Sequence, residues 1–200
     1  MNIGIVGLGL MGGSLGLALK HLPKKYCLLG YDHNSKHTKD ALALNLVDKV
    51  TKDFNEIKAC DAIVLTIPVD AIITLTKELT DVHSNCTIID FGSSKEKISQ
   101  AIPKEIRQNF VTAHPMTGTE KFGPSAAIEG LYTDKTMVIC DIEKSADFQK
   151  EIALEIFKDI HAKVVFMGAK EHDRHAAFIS HMPHAVSFAL AQSVMKQEDP

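Results

Sequence analysis

The sequence predicts an α/β fold, with a mainly parallel sheet carrying helices on both faces, followed by the start of an all-helical region. Three observations predict it. Short apolar runs rich in β-branched residues alternate with segments of helical period, a glycine-rich run joins the first strand directly to the first helix, and the last stretch is helical throughout. Ile3, Ile5 and Val6 make residues 2–6 a short buried strand, and residues 10–20 follow as a helix. Residues 26–31 form a second strand, 35–45 a helix and 49–51 a short strand. Residues 62–67 are almost continuously apolar, as a strand buried on both faces should be. A helix over 70–79, a strand over 87–91 and a helix over 95–102 continue the alternation. Strands over 110–113 and 136–140, a helix over 146–160 and a strand over 163–166 complete it. No internal repeat or low-complexity tract interrupts the series.

The domain division follows from the same pattern. Residues 1–167 read as one three-layer domain, and residues 168–200 as the first long helix of a helical domain. From 169 to 197 an apolar set that includes Ala176, Phe178, Ile179, Val186, Phe188 and Leu190 recurs at helical spacing. Pro183 should kink this helix, because it lacks an N–H and clashes with the preceding turn. So much apolar surface needs a partner, and the chain stops at Pro200 without a recognisable cap. The expectation is a homodimer docked through this region, or a chain truncated from something longer.

Composition narrows the function classes. Hydrophobic residues make up 45% and charged residues 24% of 200, which excludes disorder and coiled coil as the main architecture. A net charge of −3 gives no pull toward nucleic acid or anionic membranes. Cys27, Cys60, Cys86 and Cys140 lie far apart with no histidine at ligand spacing, so neither a metal site nor a disulfide framework is expected. Residues 3–19 are low in charge but contain six glycines and have no basic residue ahead of them, unlike a leader or membrane anchor. A cytoplasmic protein is expected.

Gly7-Leu8-Gly9-Leu10-Met11-Gly12 is a GxGxxG run between the first strand and the first helix, and Asp32 closes the second strand. That is the context of a Rossmann-type dinucleotide site. Gly7 permits the tight turn, Gly9 lets backbone amides approach a pyrophosphate, and Gly12 lets helix and strand pack closely. Asp32 accepts from a ribose 2′-hydroxyl and repels a 2′-phosphate, which favours NAD over NADP, although Lys36 nearby leans the other way. Two loops, with Thr66 and Pro68 in one and Asp90 to Lys95 in the other, should lie at the carboxyl ends of strands on the same edge. Both are placed to touch the nicotinamide half; ordinary turn and cap chemistry is the alternative for Ser93 and Ser94. His114 ends another strand on that edge, where a group of ordinary pKa near 6.5 suits general-base work. His181 and His184 flank Pro183, and on position alone they read equally as solvated helix residues.

The glycine run with Gly13 and Ser14, the segment Asp90-Phe91-Gly92-Ser93-Ser94-Lys95, the segment from His114 through Pro115, Met116, Thr117, Gly118 and Thr119 to Glu120, and Ser180-His181-Met182-Pro183-His184 occur in that order. Together they resemble the prephenate dehydrogenase family of tyrosine biosynthesis, which includes arogenate and cyclohexadienyl dehydrogenases. The resemblance implies NAD-dependent oxidation of prephenate to 4-hydroxyphenylpyruvate and carbon dioxide. It implies that His114 is the catalytic histidine accepting from the ring hydroxyl, with Ser93 orienting it and touching the same hydroxyl. By the same resemblance His184, with His181, helps hold substrate, and Thr119 and Glu120 line the substrate mouth. Family members carry a carboxylate-binding arginine in a later helical region that also forms the dimer. This sequence has only Arg107 and Arg174, so a truncated and weakly active form is expected.

Three other readings stand beside this one. Arogenate differs from prephenate by an amino group in place of a keto group, and the sequence does not separate them. A β-hydroxyacid dehydrogenase would use a lysine where the helix here offers His181 and His184. A non-catalytic NAD-binding sensor or assembly module has no need of an aligned acceptor such as His114 beside Ser93.

Overall fold

The computed structural model describes residues 1–22 and 25–195; the side chains of Ser180, His181 and His184 lie outside that set. The chain runs β1 (Asn2–Val6), α1 (Leu10–Lys20), β2 (Cys27–Tyr31), α2 (Ser35–Ala43), β3 (Lys49–Val50), α3 (Phe54–Lys58), β4 (Ala62–Leu65) and α4 (Val69–Leu75). It continues with β5 (Thr87–Asp90), α5 (Lys95–Ala101), β6 (Phe110–Pro115), β7 (Thr136–Cys140), α6 (Asp147–Asp159), β8 (Lys163–Met167) and α7 (Ala169–Ala176). A π turn (Ala177–His181) then leads into α8 (Met182–Met195).

All eight strands join one sheet in the order β3-β2-β1-β4-β5-β6-β7-β8. From β3 to β6 every pairing is parallel. β7 then runs antiparallel to β6, and β8 runs parallel to β7. The strand order reverses between β1 and β4, and the crevice outside the carboxyl ends at such a point is where α/β sheets bind ligands.

The strands carry apolar side chains on both faces because both faces are covered. Ile3, Ile5, Val64, Ile89 and Val111 pack on one side with Leu15, Leu19, Ile156 and Phe157 of α1 and α6. Val6, Ile63, Leu65, Ile88 and Phe110 pack on the other with Ile57, Ile72 and Ile98 of α3, α4 and α5. Alternation along each strand assigns these sets.

Two features differ from expectation. α3 falls in a segment with no predicted element; Asp53 caps it by accepting from the Asn55 amide at 2.9 Å, and Ile57 anchors it in the core. The segment expected as one kinked helix from 169 instead opens into the π turn just before Pro183. Widening the helix by one residue absorbs both the missing N–H and the ring's clash with the preceding turn. Its expected end at 197 lies outside the described residues. All four cysteines are free. Among the described residues no helix is long and apolar enough to cross a membrane, and none of the histidine, cysteine and carboxylate groupings would hold a metal.

Candidate active site

The glycine run makes the turn it was expected to make. Gly7 sits at φ +92, in the left-handed region, with the Thr66 backbone oxygen 2.8 Å from where a Cβ would stand. A Cβ on Gly12 would lie 1.9 Å from the Gly7 oxygen, so α1 can approach β1 this closely only with glycine there. Around Gly9 the space is open: the nearest atom to a built Cβ is the Gly123 nitrogen at 3.9 Å. No side chain caps α1, and its first turn holds no acidic residue. The first amides of that helix thus face an open approach with a partial positive charge behind them.

Asp32 is fixed rather than dangling. Its carboxylate accepts from the Leu8 amide at 2.9 Å and the Asn34 amide at 2.8 Å, with His37 Nδ1 at 3.2 Å. The bond to Leu8 ties the end of β2 to the glycine turn. It also commits the Leu8 amide, so among the run's predicted contacts Leu8 acts through its buried side chain and its link to Asp32. Lys36 turns away from Asp32 and pairs with Asp40 at 2.7 Å. Beside Asp32 opens a cavity of about 590 Å³ lined by Gly7, Tyr31, Ile67, Pro68, Ala71 and Leu75. Pro68 therefore lines the same cavity as Asp32. Thr66 points its hydroxyl inward, donating to the Gly7 oxygen at 2.6 Å, and so braces the glycine turn.

At the other end of the cleft, His114 is the fifth residue of β6, one strand beyond Asp90 of β5. Its Nδ1 lies 2.8 Å from Nε2 of His172 on α7, and the rings meet edge-on at 5.0 Å between centroids. His172 is 2% exposed, and its Nδ1 lies 2.8 Å from Oδ1 of Asp173. The two oxygens of Asp173 accept the amides of Lys95 at 2.7 Å and Glu96 at 3.0 Å, capping α5. Burial pushes the His172 ring below the ordinary imidazole value, against the pull of Asp173. Burial would raise the Asp173 carboxyl, but the amides of Lys95 and Glu96 and the His172 ring outweigh it and hold it below the usual range.

Beneath His114 lies a fully buried ion pair. The Lys95 ammonium bonds the Asp90 carboxylate and donates to the Ala113 backbone oxygen at 2.7 Å, while Asp90 also accepts the Gly92 amide at 3.0 Å. This clamp holds the Ser93 loop against the strand that carries His114. Ser93 itself is exposed. Thr119 and Glu120 are exposed on the loop after β6, where the Lys121 amide donates to Thr119 Oγ1 at 3.2 Å. The side chains of His181 and His184 lie outside the described residues. Arg107 is committed to the Phe110 oxygen at 2.9 Å and the Asp141 oxygen at 3.5 Å.

Sequence reasoning missed His172, Asp173 and the Asp90–Lys95 pair. An imidazole beside a carboxylate at 172 and 173, just after the last strand, was the available signal. Nothing local says that α7 reaches back to α5 and β6.

Residues 15–166 match a sequence profile described as "Prephenate dehydrogenase, nucleotide-binding domain", and residues 168–200 match one described as "Prephenate dehydrogenase, dimerization domain". A prephenate dehydrogenase of Bacillus subtilis (strain 168) is 30% identical over 202 residues, covering 98% of this chain and 54% of that protein. A cyclohexadienyl dehydrogenase of Zymomonas mobilis is 29% identical, covering 98% of this chain and 68% of its own length. Among solved structures, Aquifex aeolicus prephenate dehydrogenase in complex with hydroxyphenyl propionate and NAD+ superposes with a TM-score of 0.91 at 30% identity, covering all of this chain and 71% of that one. Synechocystis arogenate dehydrogenase gives 0.82 at 27% identity, with 100% and 71% covered. The chain spans about half the length of the first curated relatives it matches. On the strength of these matches, the chain belongs to the prephenate dehydrogenase family.

Proposed function

We propose that this chain is the nucleotide-binding part of an NAD-dependent dehydrogenase that oxidises prephenate, with loss of carbon dioxide, to 4-hydroxyphenylpyruvate in tyrosine biosynthesis. The observation that carries the reading is the placement of His114. It ends a strand on the same sheet edge as the open glycine turn and Asp32, and its ring is held from behind. The residues present fit a dinucleotide. The amides of Leu10, Met11 and Gly12 meet its pyrophosphate, and Asp32 holds a ribose hydroxyl and disfavours NADP. The cavity beside Pro68 takes the adenine. When bound, the nicotinamide supplies the hydride acceptor.

The chain's own groups handle one proton. His114 Nε2 accepts it from the ring hydroxyl as the carbon beneath gives up its hydride. His114 then returns it to the phenolate oxygen when the ring carboxylate leaves as carbon dioxide and its bonding pair enters the aromatic ring. Ser93, exposed at the cleft mouth, donates to the same oxygen. Thr119 and Glu120 line the substrate side, and the family resemblance assigns substrate holding to His184 with His181. A second copy of the chain covers the apolar surface of α8, where Val186, Phe188 and Leu190 are each more than half exposed; the match to a dimerization domain supports that homodimer.

The test is optical detection of NAD reduction by the full natural protein, with prephenate and arogenate compared side by side. Prephenate should turn over faster. His114→Asn should lower turnover by about two to four orders of magnitude, the usual worth of a positioned base, with NAD affinity kept. Unchanged turnover in that variant ends the assignment; faster turnover of arogenate moves the enzyme to the neighbouring activity.

A further inference from the structure

We propose that His172 and Asp173 form a positioning relay that fixes which nitrogen of His114 carries its proton. The proposal rests on the reading of His114 as the base. The argument is one of donors and acceptors. Asp173 is held in its ionised form, by the amides of Lys95 and Glu96 on α5 among other contacts, so its oxygens only accept. His172 must therefore place its single proton on Nδ1, which faces Asp173 Oδ1 at 2.8 Å. A buried neutral ring with Nδ1 protonated has a lone pair on Nε2. That lone pair faces His114 Nδ1 at 2.8 Å, so His114 donates from Nδ1, and its own acceptor is Nε2.

The alternative arrangement is penalised at every link. Moving the His114 proton to Nε2 would set two lone pairs against each other at 2.8 Å. Doubly protonating His172 is opposed by its burial and by Lys95 nearby, although Asp173 and Asp90 favour the charge. The relay is also anchored at its far end. Because Asp173 caps α5, the imidazole of β6, the helix α7 and the loop bearing Ser93 share one hydrogen-bonded line. His172, at 2% exposed, is a positioning residue that acts through His114.

Three variants of the full natural protein test this. His172→Phe fills the site, leaves the α5 cap in place and removes the acceptor facing His114. Asp173→Asn removes the negative charge that holds the proton on His172 Nδ1, so both tautomers of His172 become accessible. His172→Gln keeps one acceptor and one donor. The expected result is a fall in kcat of about 10- to 100-fold for the first two, part of the full contribution of a positioned base. KM for prephenate and the dissociation constant for NAD stay within about threefold, and His172→Gln recovers most of the loss. Nitrogen-15 NMR of histidine-labelled protein reads the tautomer of His114 without any turnover. It should show Nδ1–H in the wild type and in His172→Gln, and a mixture in the other two.

A purely structural role would lower thermal stability, most in Asp173→Asn, and leave the tautomer unchanged. Wild-type kcat in His172→Phe, or an unaltered His114 tautomer in it, overturns the relay. If His114→Asn keeps its turnover, the base reading fails on its own, and the NMR result still decides whether the relay exists.

Discussion

Gly9 and Gly12 lie three residues apart in one turn, and the structure gives them opposite roles, which alanine separates. At Gly12 a methyl group would lie 1.9 Å from the Gly7 oxygen, 2.6 Å from Thr66 Oγ1 and 3.0 Å from Ile5 Cγ2. The first of these atoms is backbone, so α1 must move away from β1. Overpacking of this kind costs about 1–3 kcal/mol. For a protein near 200 residues each kcal/mol lowers Tm by about 2–4 °C, so Gly12→Ala should lose about 2–12 °C in scanning calorimetry. Because the displaced turn also presents the helix amides, NAD affinity measured by titration calorimetry should fall with it. At Gly9 the nearest atom is 3.9 Å away and φ is −76, which alanine adopts freely. Gly9→Ala should therefore keep its Tm within about 1 °C, since no atom must move and exposed substitutions cost little. It should still lose at least about tenfold in NAD affinity, as the methyl stands where the pyrophosphate approaches. A Gly12→Ala protein as stable as wild type, or a Gly9→Ala protein that binds NAD normally, would refute the account of this turn.

Other perturbations have equally definite outcomes. Asn109 donates its side-chain amide to the backbone oxygens of His83, Ser84 and Cys86 at 3.2, 3.0 and 2.8 Å, so Asn109→Ala should cost about 1–3 kcal/mol in urea unfolding; a loss within error would discount that anchor. Burial pushes the thiols of Cys60, Cys86 and Cys140 up to about 11, 12 and 12, whereas Cys27 is exposed. A thiol reagent at mildly alkaline pH should label Cys27 alone in the native protein, as peptide mass mapping would show. His172 titrates lower when folded than its ordinary 6.5, so the unfolded chain binds more protons just below that value. Stability should be fully present above about pH 6.5 and fall as the pH drops through the folded value, a slope that His172→Phe should flatten in denaturant midpoints. The lowered carboxyls of Asp141, Asp159 and Asp173 act with the same sign but only below their ordinary 3.8.

Most of the fold was legible because it is written in local patterns. The apolar runs of β1, β4 and β5 and the glycine turn need no partner to be recognised, and Asp32 stands where the second strand ends. Strand direction was less accessible: β7 carries the same apolar character whether it lies parallel or antiparallel to β6. The short α3 escaped because its five residues span little more than a turn, too few to display a period. At the candidate site, His114 was visible from its place at a strand end and Ser93 through the family resemblance. Their support was not, because the contacts of His172 with His114 and of Asp173 with Lys95 span 58 and 78 positions. Lys95 illustrates the same limit: a lysine at the start of a helix reads as solvated, yet here it is fully buried against Asp90.

The reversal of the last two strands has a mechanical consequence. Since β8 descends, the segment after it must climb, and α7 rises past α5 until Asp173 meets that helix at the rim of the cleft. The helical region thus departs from the roof of the domain rather than its floor, through a stalk whose lower half holds the imidazole steady. Any tilt of that upper region would lever His172 against His114, because the two rings meet at 2.8 Å.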